Sequence, residues 1–226
     1  MYDNQTISFY NSIAANYEAM MESDPANKII RKMVSDEFKA SVKEGMILDF
    51  GGGTGLDLPW LLENNYKVIF CEPSDGMRRI AIQNFQNPAI QFLENNKTNV
   101  AAWNQSLPFS EKVDAVLANF AVINCIPDLK PLFKSLPLVM KKGADLFVLI
   151  LDNSFERMMQ RSKRKALLTA IFGIPFKFFI HSGSKRQLVC VHTDKKIRKS
   201  SSKYFEFQKK ENWSKYGFNL IHLRKK

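Results

Sequence analysis

Four glycines crowd into five positions, Gly51-Gly52-Gly53-Thr54-Gly55, directly after the apolar run Met46-Ile47-Leu48-Asp49-Phe50. A short run that is apolar throughout fits a strand buried on both faces, and Leu56–Asn64 beyond the glycines has helical character. Glycine at such a strand-to-helix turn permits positive φ and lets a bound group approach the backbone closely. Spacing separates the cofactor classes that use loops of this kind. A dinucleotide fingerprint G-x-G-x-x-G begun at Gly51 needs glycine where Leu56 stands, and begun at Gly53 needs it where Leu58 stands. The phosphate-loop pattern fails as well, because no Gly-Lys-Ser/Thr follows. What fits is acidic-x-Gly-x-Gly-x-Gly, on Asp49, Gly51, Gly53 and Gly55.

The pattern continues along the chain. Apolar runs at Lys67–Cys71, Ile90–Leu93, Val113–Ala118 and Ala144–Leu151 alternate with stretches long enough for crossover helices, Asp75–Phe85 and Leu129–Met140. That alternation predicts an α/β fold with a doubly wound, mostly parallel sheet covered on both faces. Two helices, Ser8–Met20 and Ala26–Val42, precede the first strand, the second with Ile29, Ile30, Met33, Val34 and Phe38 on one side. After Leu151 the texture changes. Asn153–Phe172 has helical character, Gln187–Thr193 reads as a strand, Ser202–Tyr216 as a helix and Phe218–Leu223 as a closing strand. The expected organisation is one domain over 1–226. It comprises an N-terminal helical lid (1–45), a core (46–152), an insertion (153–200) and a closing helix and strand (201–226).

The acidic-glycine motif resembles the first motif of class I S-adenosylmethionine-dependent methyltransferases, which have a Rossmann-like fold. Their ubiquinone/menaquinone-biosynthesis-like small-molecule branch is the nearest in pattern. The resemblance spans roughly residues 8–152 and implies S-adenosylmethionine as cofactor and S-adenosylhomocysteine as product. On it, Asp49, Gly51, Gly52, Gly53 and Gly55 form the cofactor loop. Glu72, closing the second strand before Pro73, takes the place of the ribose-binding acid, with two acceptor oxygens for a vicinal diol. Met77 matches the adenine-contacting segment and offers the ring a soft apolar face, while Glu94 and Asn95 match the contact to the adenine amino group. Asn119 and Phe120 match the loop after the fourth strand, and Lys142-Gly143 the turn into the fifth. Tyr10 and Tyr17, seven residues apart and so on one helical face, match a segment that lies over the cofactor. The family usually adds a final antiparallel strand, so the sheet is expected either to be one strand short or to use Gln187–Thr193 otherwise.

In that family the sulfonium activates the leaving group, so the protein chiefly positions both partners and excludes water. A base is required only where the nucleophile must lose a proton. His181, His192 and Tyr17 are the candidates, and none is singled out. Two subclasses are disfavoured: Asn119-Phe120-Ala121-Val122 lacks the Pro-Pro of enzymes methylating amino groups of adenine or glutamine, and none of Cys71, Cys125 and Cys190 follows proline as cytosine C5 enzymes require. Those three widely spaced cysteines supply neither a disulfide framework nor a zinc set, and no metal site is expected.

Charge divides the chain unevenly. Residues 1–150 hold 14 Lys/Arg against 17 Asp/Glu, whereas residues 151–226 hold 19 against 5, which gives the net +11. A uniformly basic nucleic-acid coat is excluded. Arg157, Arg161, Arg164 and Lys165 would share one helical stripe, followed by the aromatic run Ile171–Ile180. This basic segment is compatible with an anionic membrane surface, with RNA, with a cover over an apolar or acyl-type substrate on an acidic carrier protein, or with a solvated helix leading into packed phenylalanines. The apolar small-molecule substrate is preferred over RNA, because phenylalanine gives bulk walls and base recognition wants polar readers beside it. A non-catalytic binding module is the remaining alternative. No signal peptide is read at the N-terminus and no run reaches the length of a transmembrane helix, so a cytoplasmic location is expected.

Overall fold

The computed structural model describes residues 4–226. Its strands β1 (Met46–Phe50), β2 (Lys67–Cys71), β3 (Ile90–Phe92), β4 (Val113–Ala118) and β5 (Met140–Leu151) are all parallel to one another. With β8 (Phe205–Trp213) and β9 (Phe218–Lys225) they form a seven-stranded sheet ordered β3-β2-β1-β4-β5-β9-β8, in which β9 runs antiparallel to both neighbours. The doubly wound, mostly parallel sheet is therefore present. Strand order reverses between β1 and β4, and ligands of such sheets bind beyond the carboxyl ends of the strands at that crevice.

Helices cover both faces because every central strand is apolar on both sides. One core cluster packs Leu48, Phe50, Val116 and Leu146 against α6 (Leu129–Val139) and α9 (Asp194–Ser201). The other packs Ile47, Leu117 and Phe147 against α3 (Pro25–Ser41). Helix α3 begins at Pro25, where the Asp24 side chain accepts from Ala26 N at 2.9 Å, and its buried Ile30, Val34 and Phe38 recur at i, i+4 and i+8. Helices α4 (Leu58–Glu63) and α5 (Asp75–Asn84) complete the crossovers, and α5 is capped by the Ser74 hydroxyl.

Four expectations change. Ser202–Tyr216 is not a helix: Phe205–Trp213 is the edge strand β8, so of the two alternatives for the sheet it is not one strand short. Phe205 and Trp213 face inward while Glu206, Lys209, Lys210 and Glu211 line the rim, and charge on an edge strand blocks further pairing. Ser8–Met20 is broken into α1 (Asn4–Ile13), a 3-10 turn at Ala14–Asn16 and α2 (Tyr17–Glu22), so Tyr10 and Tyr17 do not share one helix. The basic stripe is likewise interrupted. Ser162 adopts extended backbone (φ −164°) and caps α8 (Lys163–Phe172), separating Arg157 and Arg161 on α7 (Phe155–Arg161) from Arg164 and Lys165. Lys142-Gly143 is not the turn into β5 either, because β5 already pairs at Met140 with Val113, and the register jumps to Asp145 opposite Ala115 across Gly143 at φ +74°.

The strand expected at Gln187–Thr193 is β7 (Lys185–Val191), which among the described residues pairs with β6 (Phe176–Ser182) alone, in a hairpin apart from the main sheet. β7 packs against α1 and against the loop following β4. Asn124 Nδ2 donates to Cys190 O at 2.7 Å, and His192 Nε2 donates to Ile126 O at 2.9 Å and Ile123 O at 3.2 Å.

Candidate active site

At the end of β1 the chain must leave a buried strand and turn sharply. Gly51 (φ +78°), Gly53 (φ +62°) and Gly55 (φ +92°) all take left-handed backbone, which an L side chain resists. Gly51 N donates to Cys71 O at 2.7 Å, docking the loop on the end of β2. Gly52 is needed for space rather than φ: a methyl group there would overlap the Phe70 ring and lie 2.6 Å from Asp49 Oδ2.

Beyond the glycines a cavity of about 660 Å³, partly continuous with solvent, opens over the ends of β1, β2 and β4. Of the residues expected at the cofactor, Tyr10, Tyr17, Gly51, Gly52, Gly53, Glu72, Pro73, Met77, Asn119 and Phe120 line it. Glu72 is buried, and its oxygens accept from Gly53 N at 3.0 Å and Ser74 N at 2.7 Å. A carboxylate offers about four acceptor positions, so two stay available. Burial pushes the Glu72 carboxyl up to about 7 against the pull of the Ser74 and Gly53 N–H groups and Arg78.

Asp49 sits beneath the loop rather than in the cavity wall, with Oδ2 buried and without a hydrogen-bond partner. Burial raises its pKa well above the usual carboxylate range, and Asp57 and Glu72 raise it further. Gly55 shapes the turn from outside the cavity. Asn95 lines a second cleft, shared with Phe50, Pro73 and Val100, and Glu94 is exposed with Lys97 at 3.8 Å. The two histidines are elsewhere. His181 is exposed on β6, and His192 is buried behind the β4 loop, where burial lowers its pKa to about 4. Its Nε2–H is shared between two carbonyls, and its Nδ1, the nitrogen free to take a proton, is buried away from the cavity. Burial pushes Tyr17 up to about 12 and holds it as a neutral phenol.

Sequence reading missed a second acidic anchor. Asp57 is buried, pairs with Arg31 at 2.6 Å, and accepts from Trp60 Nε1 at 2.9 Å and from Asn119 Nδ2 at 2.9 and 3.0 Å. Arg31 in turn lies 4.5 Å over the Phe120 ring. Phe120 (φ +46°) and Ala121 (φ +64°) are non-glycine residues in left-handed backbone, a strain characteristic of functional loops. The lid helix is tied down by Asn11, whose Oδ1 accepts from Ser74 Oγ at 2.7 Å and Gly76 N at 2.8 Å.

Taken together, Asp49, Asp57 and Glu72 surround the glycine loop, and among the described residues Arg31 is the one cation lining the cavity. The cavity wall thus carries two acids, Asp57 and Glu72, beside a loop whose glycines leave its backbone open to close approach. A family model for methyltransferase domains matches residues 21–223. The chain belongs to that methyltransferase family. It is an S-adenosylmethionine-dependent methyltransferase, and the glycine cradle beside the cavity and the spare acceptor positions on Glu72 fit that cofactor.

Among solved structures, the methyltransferase is similar in fold to the 1,6-didemethyltoxoflavin-N1-methyltransferase of Burkholderia thailandensis, crystallised with S-adenosylhomocysteine. The TM-score is 0.68 at 13% identity, over 98% of this chain and 87% of that one. DhpI, in a complex with S-adenosylmethionine and HEP, gives 0.68 at 15% identity over 97% and 96%. A methyltransferase of Methanosarcina mazei gives 0.64 at 20% identity over 81% and 93%. Comparison with curated protein sequences finds no match.

Proposed function

We propose that this methyltransferase acts on a small, apolar molecule, in the manner of the small-molecule branch of its class. The cavity beside the carboxylates carries this reading: Ile7, Tyr10, Leu56, Met77, Phe120 and Val122 wall it, and no histidine lines it. Bound there, S-adenosylmethionine supplies a methyl group on a sulfonium already activated for in-line displacement. Glu72 would take the ribose diol on its two spare acceptor positions. Arg31, with five donors of which Asp57 uses part, would take the cofactor's carboxylate. Asp57 and Glu72, both in the cavity wall, would favour the cationic centres.

Tyr10 and Tyr17 reach the same cavity from α1 and α2, and their faces offer π-density to a cation or an apolar acceptor. Tyr17 keeps its proton at all ordinary pH, so it donates a hydrogen bond and does not act as a base. With no histidine at the cavity, an acceptor whose nucleophilic atom needs no strong base suits the site best. Small acyl-type acceptors on an acidic carrier meet the same apolar wall and belong to this reading.

The test pairs calorimetric titration of S-adenosylhomocysteine with transfer of labelled methyl to a panel of apolar small molecules, free and carrier-linked. Binding plus transfer to a member of the panel is expected. Binding with transfer only to RNA would replace the small-molecule reading, and no binding would remove the site assignment as well.

A further inference from the structure

We propose that the α8–β6 tip docks the methyltransferase on an anionic membrane surface. Six of the twelve large apolar side chains exposed among the described residues lie within one fourteen-residue stretch: Leu167, Ile171, Phe172, Ile174, Phe179 and Ile180. Ile171 and Phe172, at the end of α8 just before the left-handed Gly173, are each 69% exposed. Such a cluster exceeds the scattered apolar exposure of an ordinary surface and marks a contact site.

Charge on the same elements identifies the partner. From Lys163 to Val191 there are six cations, Lys163, Arg164, Lys165, Lys177, Lys185 and Arg186, and no Asp or Glu. All six are exposed. A second copy of this chain would bring like charge against like, which disfavours self-association through this face. Among described residues these apolar groups line neither cavity above, so they do not form the substrate wall. They project instead from a helix end and from both faces of a hairpin. A bilayer interface accepts such a convex apolar tip with cations around it, whereas a folded partner needs a complementary groove. RNA is less well matched, since Ile171, Ile174 and Ile180 have no ring with which to stack a base.

The tip is firmly mounted. Its root packs as a small cluster of Met158, Ala166, Phe176 and Val191. Arg161 lies over the Phe178 ring at 4.6 Å, and Arg186 over that of Phe179 at 4.7 Å, so each cation is held against an aromatic face. No helix among the described residues is long and apolar enough to cross a membrane, and docking of this kind requires none. Because β7 packs on α1, whose Ile7 and Tyr10 line the active-site cavity, docking sets the cavity's lid close to the lipid.

Sedimentation of the full chain with vesicles tests this without any methyl acceptor, so it is separate from the substrate reading. Binding is expected to vesicles of phosphatidylcholine with phosphatidylglycerol and not to phosphatidylcholine alone. K163Q/R164Q/K177Q should weaken it about 100-fold, at roughly a factor of five for each surface cation. I171S/F172S should weaken it about 10-fold or more and abolish the part that persists at high salt. Both variants should keep the melting temperature and the affinity for S-adenosylhomocysteine. Absence of vesicle binding, equal binding to neutral vesicles, or full affinity in I171S/F172S would overturn the proposal. So would retention of an acidic carrier protein or of RNA by a chain that ignores vesicles.

Discussion

The Glu72 carboxylate accepts from Gly53 N at 3.0 Å, so the acid that closes β2 also holds the glycine turn that follows β1. Loop and acid are thus preset relative to each other before any ligand arrives. Replacing Glu72 by Ala removes both the loop tie and the diol acceptors. S-adenosylhomocysteine affinity should fall by about 100-fold, the scale of one or two hydrogen bonds to a charged group. Glu72→Gln, with one acceptor oxygen left, should fall in between. Calorimetry on the three proteins checks the order, and equal affinity in all three would remove Glu72 from the binding site.

The same residue should leave a signature in stability against pH. Burial raises the Glu72 carboxyl from 4.5 to about 7. Across that window the folded chain holds a proton that the unfolded chain releases, so stability falls as pH rises from 4.5 and the loss is complete above about 7. His192 works in the opposite sense: lowered from 6.5 to about 4, it costs stability as pH falls through that range. Glu72→Gln removes only the first effect. Relative to wild type its stability should rise by roughly 3 kcal/mol between pH 5 and pH 8, or about 6–12 °C in melting temperature. A difference that stays constant with pH would contradict a raised Glu72.

Sequence made the central half of the sheet legible because its signals are local. Met46–Phe50, Lys67–Cys71 and Val113–Ala118 form strands at the expected boundaries, and the Asp49–Gly55 turn needs no distant partner to be read. β8 was obscured because Glu206, Lys209, Lys210 and Glu211 look like a solvated helix face, and because a bulge between Phe207 and Lys209 breaks the strand's alternation, so that Phe205 packs into one core cluster and Trp213 into the other. Arg31 gave no local sign at all. It lies on α3 beside Ile30 and Val34, and becomes a site residue only when folding brings Asp57 from the far side of the glycine loop to within 2.6 Å. The α1 lid was partly legible: Tyr10 and Tyr17 converge on one cavity, but across the 3-10 turn at Ala14–Asn16 rather than along one helix.

Arg31 is accordingly the sharpest test of what sequence could not show. Arg31→Met keeps much of the length and apolar stem over Phe120 while removing the charge. Asp57 retains Asn119 and Trp60, so the fold should survive with a modest loss in melting temperature. Affinity for S-adenosylhomocysteine should drop about 10- to 100-fold, as expected when a charge-assisted contact is lost. Adenosine alone lacks the amino-acid arm, so its affinity should barely change. A parallel loss for adenosine would mean that Arg31 acts by holding the loop through Asp57 and not by contacting the cofactor.

Gly52→Ala probes the loop from the inside. Gly51 and Gly53 resist substitution through positive φ, but Gly52 does not, so a defect at Gly52 reports space alone. The added methyl meets the Phe70 ring on one side and Asp49 Oδ2 on the other. Phe70 is fully buried and stacks edge-on with Phe92 at 5.1 Å, so it cannot swing away. The loop must shift outward instead, at a cost of about 1–3 kcal/mol. Urea unfolding should report that loss, and calorimetry should report weakened S-adenosylhomocysteine binding, since the displaced backbone narrows the approach that glycine keeps open. A fully stable Gly52→Ala protein with unchanged affinity would show that the turn relaxes without cost and that the crowding around Asp49 and Phe70 sets no limit on the site.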